Sequence, residues 1–140
     1  MSKTRLALIA AIFAVFATAC GGNVDELAVG DCFMDPEDPN SEIANVDFID
    51  CAEPHHNEVF AVIELDTLVD EASLGDLCIA EFDAYFAQDY ALSEVYIFTL
   101  SPTADGFANG DNELVCAGYI PTADGTGSEL VEGSLQGSGR

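Results

Sequence analysis

Four cysteines, Cys32, Cys51, Cys78 and Cys116, spread along the chain behind an apolar N-terminus, limit most strongly what this sequence can fold into. In an exported chain an even set of cysteines reads as a disulfide framework, and four cysteines allow three pairings. Structural zinc is the competing use, but such sites draw on closely spaced ligand pairs and no Cys-x-x-Cys occurs here. Hydrophobic periodicity chooses among the pairings. Leu74, Leu77, Cys78, Phe82, Tyr85 and Phe86 recur on one face of a helix expected over 73–90, opened by a capping box of Ser73 and Asp76. Leu114, Cys116 and Ile120 share one face of a strand expected over 113–120. Cys78 and Cys116 then face one interior and pair, which leaves Cys32 with Cys51.

Export is read from the first twenty residues. Lys3 and Arg5 precede an unbroken apolar run from Leu6 to Phe16, followed by Ala17-Thr18-Ala19-Cys20. The run spans about 16 Å as a helix, roughly half a bilayer core, which suits a signal better than a permanent span. Ala17 to Cys20 resembles a bacterial lipobox. That resemblance implies cleavage before Cys20, diacylglycerol on its sulfur, and anchoring at the extracytoplasmic face of the cell membrane. The expected organisation is a lipoprotein signal peptide over 1–19, a glycine-containing tether over 20–26, and one domain over 27–140.

Strands are expected over 46–51, 58–65, 95–100 and 113–120, with a short edge strand near Leu130 and Val131. Val59 to Ile63 is apolar at both parities, as in a strand covered on both faces. These elements define an α+β domain: a small, mainly antiparallel sheet of four to five strands packed by one main helix and stapled by two disulfides. Pro-Thr-Ala-Asp-Gly occurs at 102–106 and again at 121–125, each time after an expected strand, and reads as two similar turns. The glycine- and serine-rich tail is expected to be loose at its end.

Three cations stand against 26 acids, a formal charge of −23. Without residues 1–19 one cation faces 26 acids, giving −25. Such a surface has nothing to neutralise phosphates, which excludes nucleic acid as a partner, and no polybasic patch for anionic lipid. The 49% apolar content is enough to close a core. The acidic loops at 35–42 and 105–113 offer oxygen ligands to a divalent cation, although neither follows the EF-hand pattern.

His55, His56 and Glu58 form the one grouping with chemical potential. Strand alternation places His56 and Glu58 on one face and His55 on the other. The simplest use is structural, with His55 bonding a turn beside a disulfide and Glu58 as its partner. Oxidised cysteines offer no thiolate, and neither a Ser/His/acid signature nor a glycine-rich phosphate loop occurs. No catalytic set, metal or cofactor is expected.

Gly30-Asp31-Cys32-Phe33, Cys51-Ala52-Glu53-Pro54-His55 with Glu58-Val59-Phe60, Cys78 on a helix, Gly110-Asp111 before Cys116, and Gly133-Ser134-Leu135 together resemble the septum formation domain family. The resemblance covers most of the chain after Val29. It implies a non-enzymatic envelope lipoprotein, an interaction module linked to septum formation or cell-wall processes, held at the membrane through Cys20 and contacting an envelope or division protein. The alternative is an extracytoplasmic protein that binds a small ligand or divalent cation. The family often has a tryptophan before Gly-Asp, where the nearest aromatic here is Phe107. It often has a basic residue after Gly-Asp, where Asn112 stands, and an aspartate where His56 stands. Together with His55, these three positions are the expected partner contacts.

Overall fold

The computed structural model describes residues 20–38 and 43–140. The expected signal peptide therefore lies outside the described residues. Six strands form one curled antiparallel sheet: β1 Cys20–Asn23, β2 Cys32–Phe33, β3 Asn45–Ile49, β4 Asn57–Glu64, β5 Tyr96–Leu100 and β6 Glu113–Tyr119. Their order is β1-β3-β2-β4-β6-β5. One main helix, α1 Glu71–Phe86, lies across one face, and a short helix, α2 Ala104–Ala108, links β5 to β6. The architecture is the α+β arrangement that the periodicity implies, with both disulfides paired as expected.

The helix-side core is built from the stripe read in the sequence. Leu74, Cys78, Phe82, Tyr85 and Phe86 are buried, against Phe60 and Ala61 of β4 and Leu114 and Cys116 of β6. The Phe60 ring meets Phe82 and Phe86 edge-on at 5.6 and 5.2 Å. At Gly118 an added Cβ would lie 2.6 Å from Phe86 Cζ and 2.8 Å from Val95 Cγ1, so glycine is what lets that ring rest on the strand. The Cys78–Cys116 bridge joins helix to sheet through this core, at a Cα–Cα distance of 5.6 Å.

Covering of β4 on both faces is also realised, with an adjustment. The register between β4 and β6 slips between Val59 and Ala61, so Phe60 and Ala61 both face α1. Val59 faces the other way, into a second cluster with Leu27, Phe33, Val46, Val115 and Ala117. Phe48 of β3 and Phe98 and Leu100 of β5 pack against this same cluster, although their strands stand far apart in the sheet order. Only a curl that folds β1, β3 and β2 over the second face brings them together.

Several boundaries differ from expectation. The helix begins earlier, because Asp70 rather than Ser73 caps it: the Asp70 carboxylate accepts bonds from both the backbone N–H and the hydroxyl of Ser73. It stops at Phe86, where Ala87 turns left-handed at φ 57°. The sheet has six strands rather than four or five, since β1 and β2 are too short to carry an alternating pattern. The expected tether over 20–26 is not free: its first four residues pair with β3 and the next three form a 3₁₀ turn. Gly22 makes this pairing feasible, as an added Cβ there would fall inside the Phe48 ring, 1.8 Å from its Cε2. The Leu130–Val131 edge strand reduces to one bridge between Val131 and His55.

The tail is tied down as well. Gly137 and Gly139 donate their N–H groups to the carbonyls of Tyr85 and Phe86, which the end of α1 leaves without helical partners. The two copies of Pro-Thr-Ala-Asp-Gly adopt different structures. At the first, Thr103 caps α2, and the following Phe107 packs on the helix-side core. At the second, Thr126 and Gly127 follow instead, and Asp124 gathers bonds from Thr122 and Thr126 in a tight turn.

Candidate functional site

Among the described residues, groups that could act chemically converge once: Cys32, His55 and Glu58 place their ligand atoms within 4.8 Å of one another, and all three are buried. Cys32 starts β2 and is bonded to Cys51. Glu58 enters from β4 on the helix side. Its Oε1 accepts bonds from the hydroxyls of Tyr85 (2.7 Å) and Ser134 (2.5 Å), and its Oε2 from the Leu135 N–H (2.5 Å). His55 precedes β4 and exchanges two backbone bonds with Val131, each 2.9 Å. Its Nδ1 donates to the Glu53 carbonyl at 2.9 Å, which leaves the buried Nε2 without a hydrogen-bond partner.

His55, not His56, therefore accompanies Glu58, a correction to the alternation argument. The chain bends at His56, before β4 begins, and the bend breaks the two-residue period. His56 turns toward Asp35, whose backbone N–H donates to His56 Nδ1 at 3.0 Å. Because that bond uses the Nδ1 lone pair, the 3.8 Å approach of Asp35 Oδ2 to the same atom is not an ion pair.

Gly30, Asp31, Cys51, Val59 and Gly133 meet in one structural seam. Gly133 N–H donates to the Cys51 carbonyl, Gly30 N–H donates to the Val59 carbonyl, and Val59 N–H donates to the Asp31 carbonyl. Asp31 Oδ2 accepts the Ala28 N–H at 2.8 Å. Gly30 and Gly133 sit at φ 93° and 82°, where a side chain would be strained. The seam holds the segment carrying Ser134 and Leu135 against β4.

The four expected partner contacts do not form one surface. His55 is fully buried and presents nothing to a surface partner. Phe107 packs against the helix-side core, and Asn112 donates through Nδ2 to Glu64 Oε1 while its carbonyl accepts the Leu65 N–H. Asn112 thus stands at the far end of β4 from His56, roughly 20–25 Å away along the strand. Asn112 lines a shallow pocket with Gly106, Asn109 and Asp111, whereas His56 lies beside the groove described below, next to Asn57 and bonded to Asp35 in its lining. Tyr85 and Gly133-Ser134-Leu135 stand out in the sequence, but nothing there joins them to Glu58. Tyr85 sits on the buried stripe, but Ser134 is 76 residues from Glu58 and no local pattern links them.

Burial, and then the hydrogen bond and charge of Glu58, raise the Tyr85 hydroxyl well above its ordinary value of 10.0. The folded protein thus holds this proton more tightly than the unfolded chain does. The resulting stability is complete below pH 10 and is lost as pH rises beyond it. Tyr85→Phe should be less stable at neutral pH, and its gap from the wild type should narrow above pH 10. Denaturant unfolding at a series of pH values measures this, and a gap that stays constant would contradict it.

Comparison with protein-family models, curated proteins and solved structures gives no match to this chain.

Proposed function

We propose that this protein is a non-enzymatic module of the cell envelope, anchored by lipid on Cys20, that acts by holding a partner. One observation carries the reading: the only convergence of reactive groups among the described residues is closed. Its sulfur is in a disulfide, its carboxylate already accepts three bonds, and its histidine is fully buried. What remains is an acidic, cross-linked surface suited to binding outside the cytoplasm. The septal or cell-wall setting comes from the family resemblance and rests on the residues quoted for it. Fractionation of cells making the full chain tests the anchor. The wild type should sit in the membrane fraction with acyl groups on Cys20, and Cys20→Ala should be unprocessed or released. Wild-type protein that is soluble and free of acyl groups would overturn the assignment.

A further inference from the structure

A groove of about 640 Å³ opens on the sheet face opposite α1, floored by Tyr96 and Phe98 of the edge strand β5 and by Tyr119 of β6. Tyr96 is 50% exposed, and its ring meets that of Tyr119 edge-on at 6.1 Å. Tyr96 is the exposed ring of this pair, while Tyr119 and Phe98 are half-buried. Asp35 stands in the wall. Its Oδ1 accepts bonds from Asn57 Nδ2 (2.8 Å) and Ser128 Oγ (3.1 Å), which fixes the carboxylate beside the rings. Burial, and to a smaller degree Tyr90, Tyr96 and Asp35, raise the Tyr119 hydroxyl above its ordinary value. Beside the groove, β5 pairs with β6 on one side only, and no described strand pairs with its other side.

We propose that this groove and the free edge of β5 receive an extended, arginine- or lysine-bearing segment of a partner protein. An added strand would bond to the β5 backbone and set every second side chain over the face that carries Tyr96 and Phe98. A cationic side chain there meets aromatic faces and the Asp35 carboxylate together. Charge selects the occupant. Among the described residues the only lysine or arginine is Arg140, already 3.5 Å from Glu94, so a second copy of this chain would bring repulsion rather than complementarity. The proposal rests on reading the protein as a binding module, but not on the lipid anchor.

The test titrates a labelled nonapeptide of alternating arginine and threonine into the full chain in detergent, at physiological salt. A peptide with glutamine for arginine, and one with proline at the threonine positions to block strand pairing, serve as comparisons. Both should bind at least about tenfold more weakly. Tyr96→Ala should weaken the arginine peptide about five- to tenfold with an unchanged melting temperature, and Tyr96→Phe should restore it. Asp35→Asn should weaken it comparably, whereas Glu81→Gln, an exposed position on α1, should not. Equal affinity for wild type and Tyr96→Ala would show diffuse attraction to an acidic surface and reject the groove. Proline and threonine peptides that bind alike would reject strand addition. Neither result would touch the membrane assignment, which the Cys20 fractionation decides separately.

Discussion

Glu58→Ala is expected to cost about 3–5 kcal/mol of folding stability, the largest effect of any single substitution considered for this domain. The wild-type carboxylate is fully buried and accepts bonds from Tyr85, Ser134 and the Leu135 N–H. Alanine would leave three donors without partners, each at a cost of about 1–3 kcal/mol unless water enters. It would also release Leu135, which is buried in the helix-side core. Glu58→Gln should be milder, because an amide oxygen can still serve Tyr85 and Ser134 while its NH₂ faces the Leu135 N–H. Denaturant unfolding gives the energies, and hydrogen exchange should show protection lost first over 131–139. An alanine variant as stable as the wild type would mean that desolvation of Glu58 cancels everything its three bonds contribute.

Removing the Cys78–Cys116 bridge by double alanine substitution should cost about 4 kcal/mol, and removing Cys32–Cys51 about 3 kcal/mol, on the chain-entropy scale for loops of 38 and 19 residues. Against a typical total of about 5–15 kcal/mol, either loss is large. Cys78 and Cys116 are both fully buried, whereas Cys51 is half-buried. Graded reductant should therefore open Cys32–Cys51 first. Peptide mapping without reduction checks the pairing, and trapping of thiols during reduction gives the order. Simultaneous opening, or opening of the buried pair first, would contradict the accessibility argument.

The parts of this fold that were readable in the sequence are those with a period. The phase of Cys78 on a 3.6-residue stripe and the parity of Cys116 on a strand were enough to pair them, and β3 to β6 follow runs of apolar residues. What escaped has no period. β2 is two residues long, and β1 consists of Cys20-Gly21-Gly22-Asn23, whose fitness for pairing depends on the Phe48 ring that lies over Gly22. His55 and His56 were assigned to the wrong faces because the bend between turn and strand leaves no trace in alternation. The groove had a weak signal: Tyr96 and Tyr119 are opposite each other in the β5–β6 register, which becomes visible only once those two strands are paired.

Glu58 also sets an order of events. It lies on β4, and although Tyr85 follows 27 residues later, the other two donors arrive only 76 and 77 residues later. A chain that emerges N-terminus first carries this carboxylate exposed to water until Ser134 and Leu135 are available, and cannot bury it at acceptable cost before then. Contacts of such long sequence separation are slow to form, so the carboxylate is enclosed only after the last residues of the domain have joined the sheet.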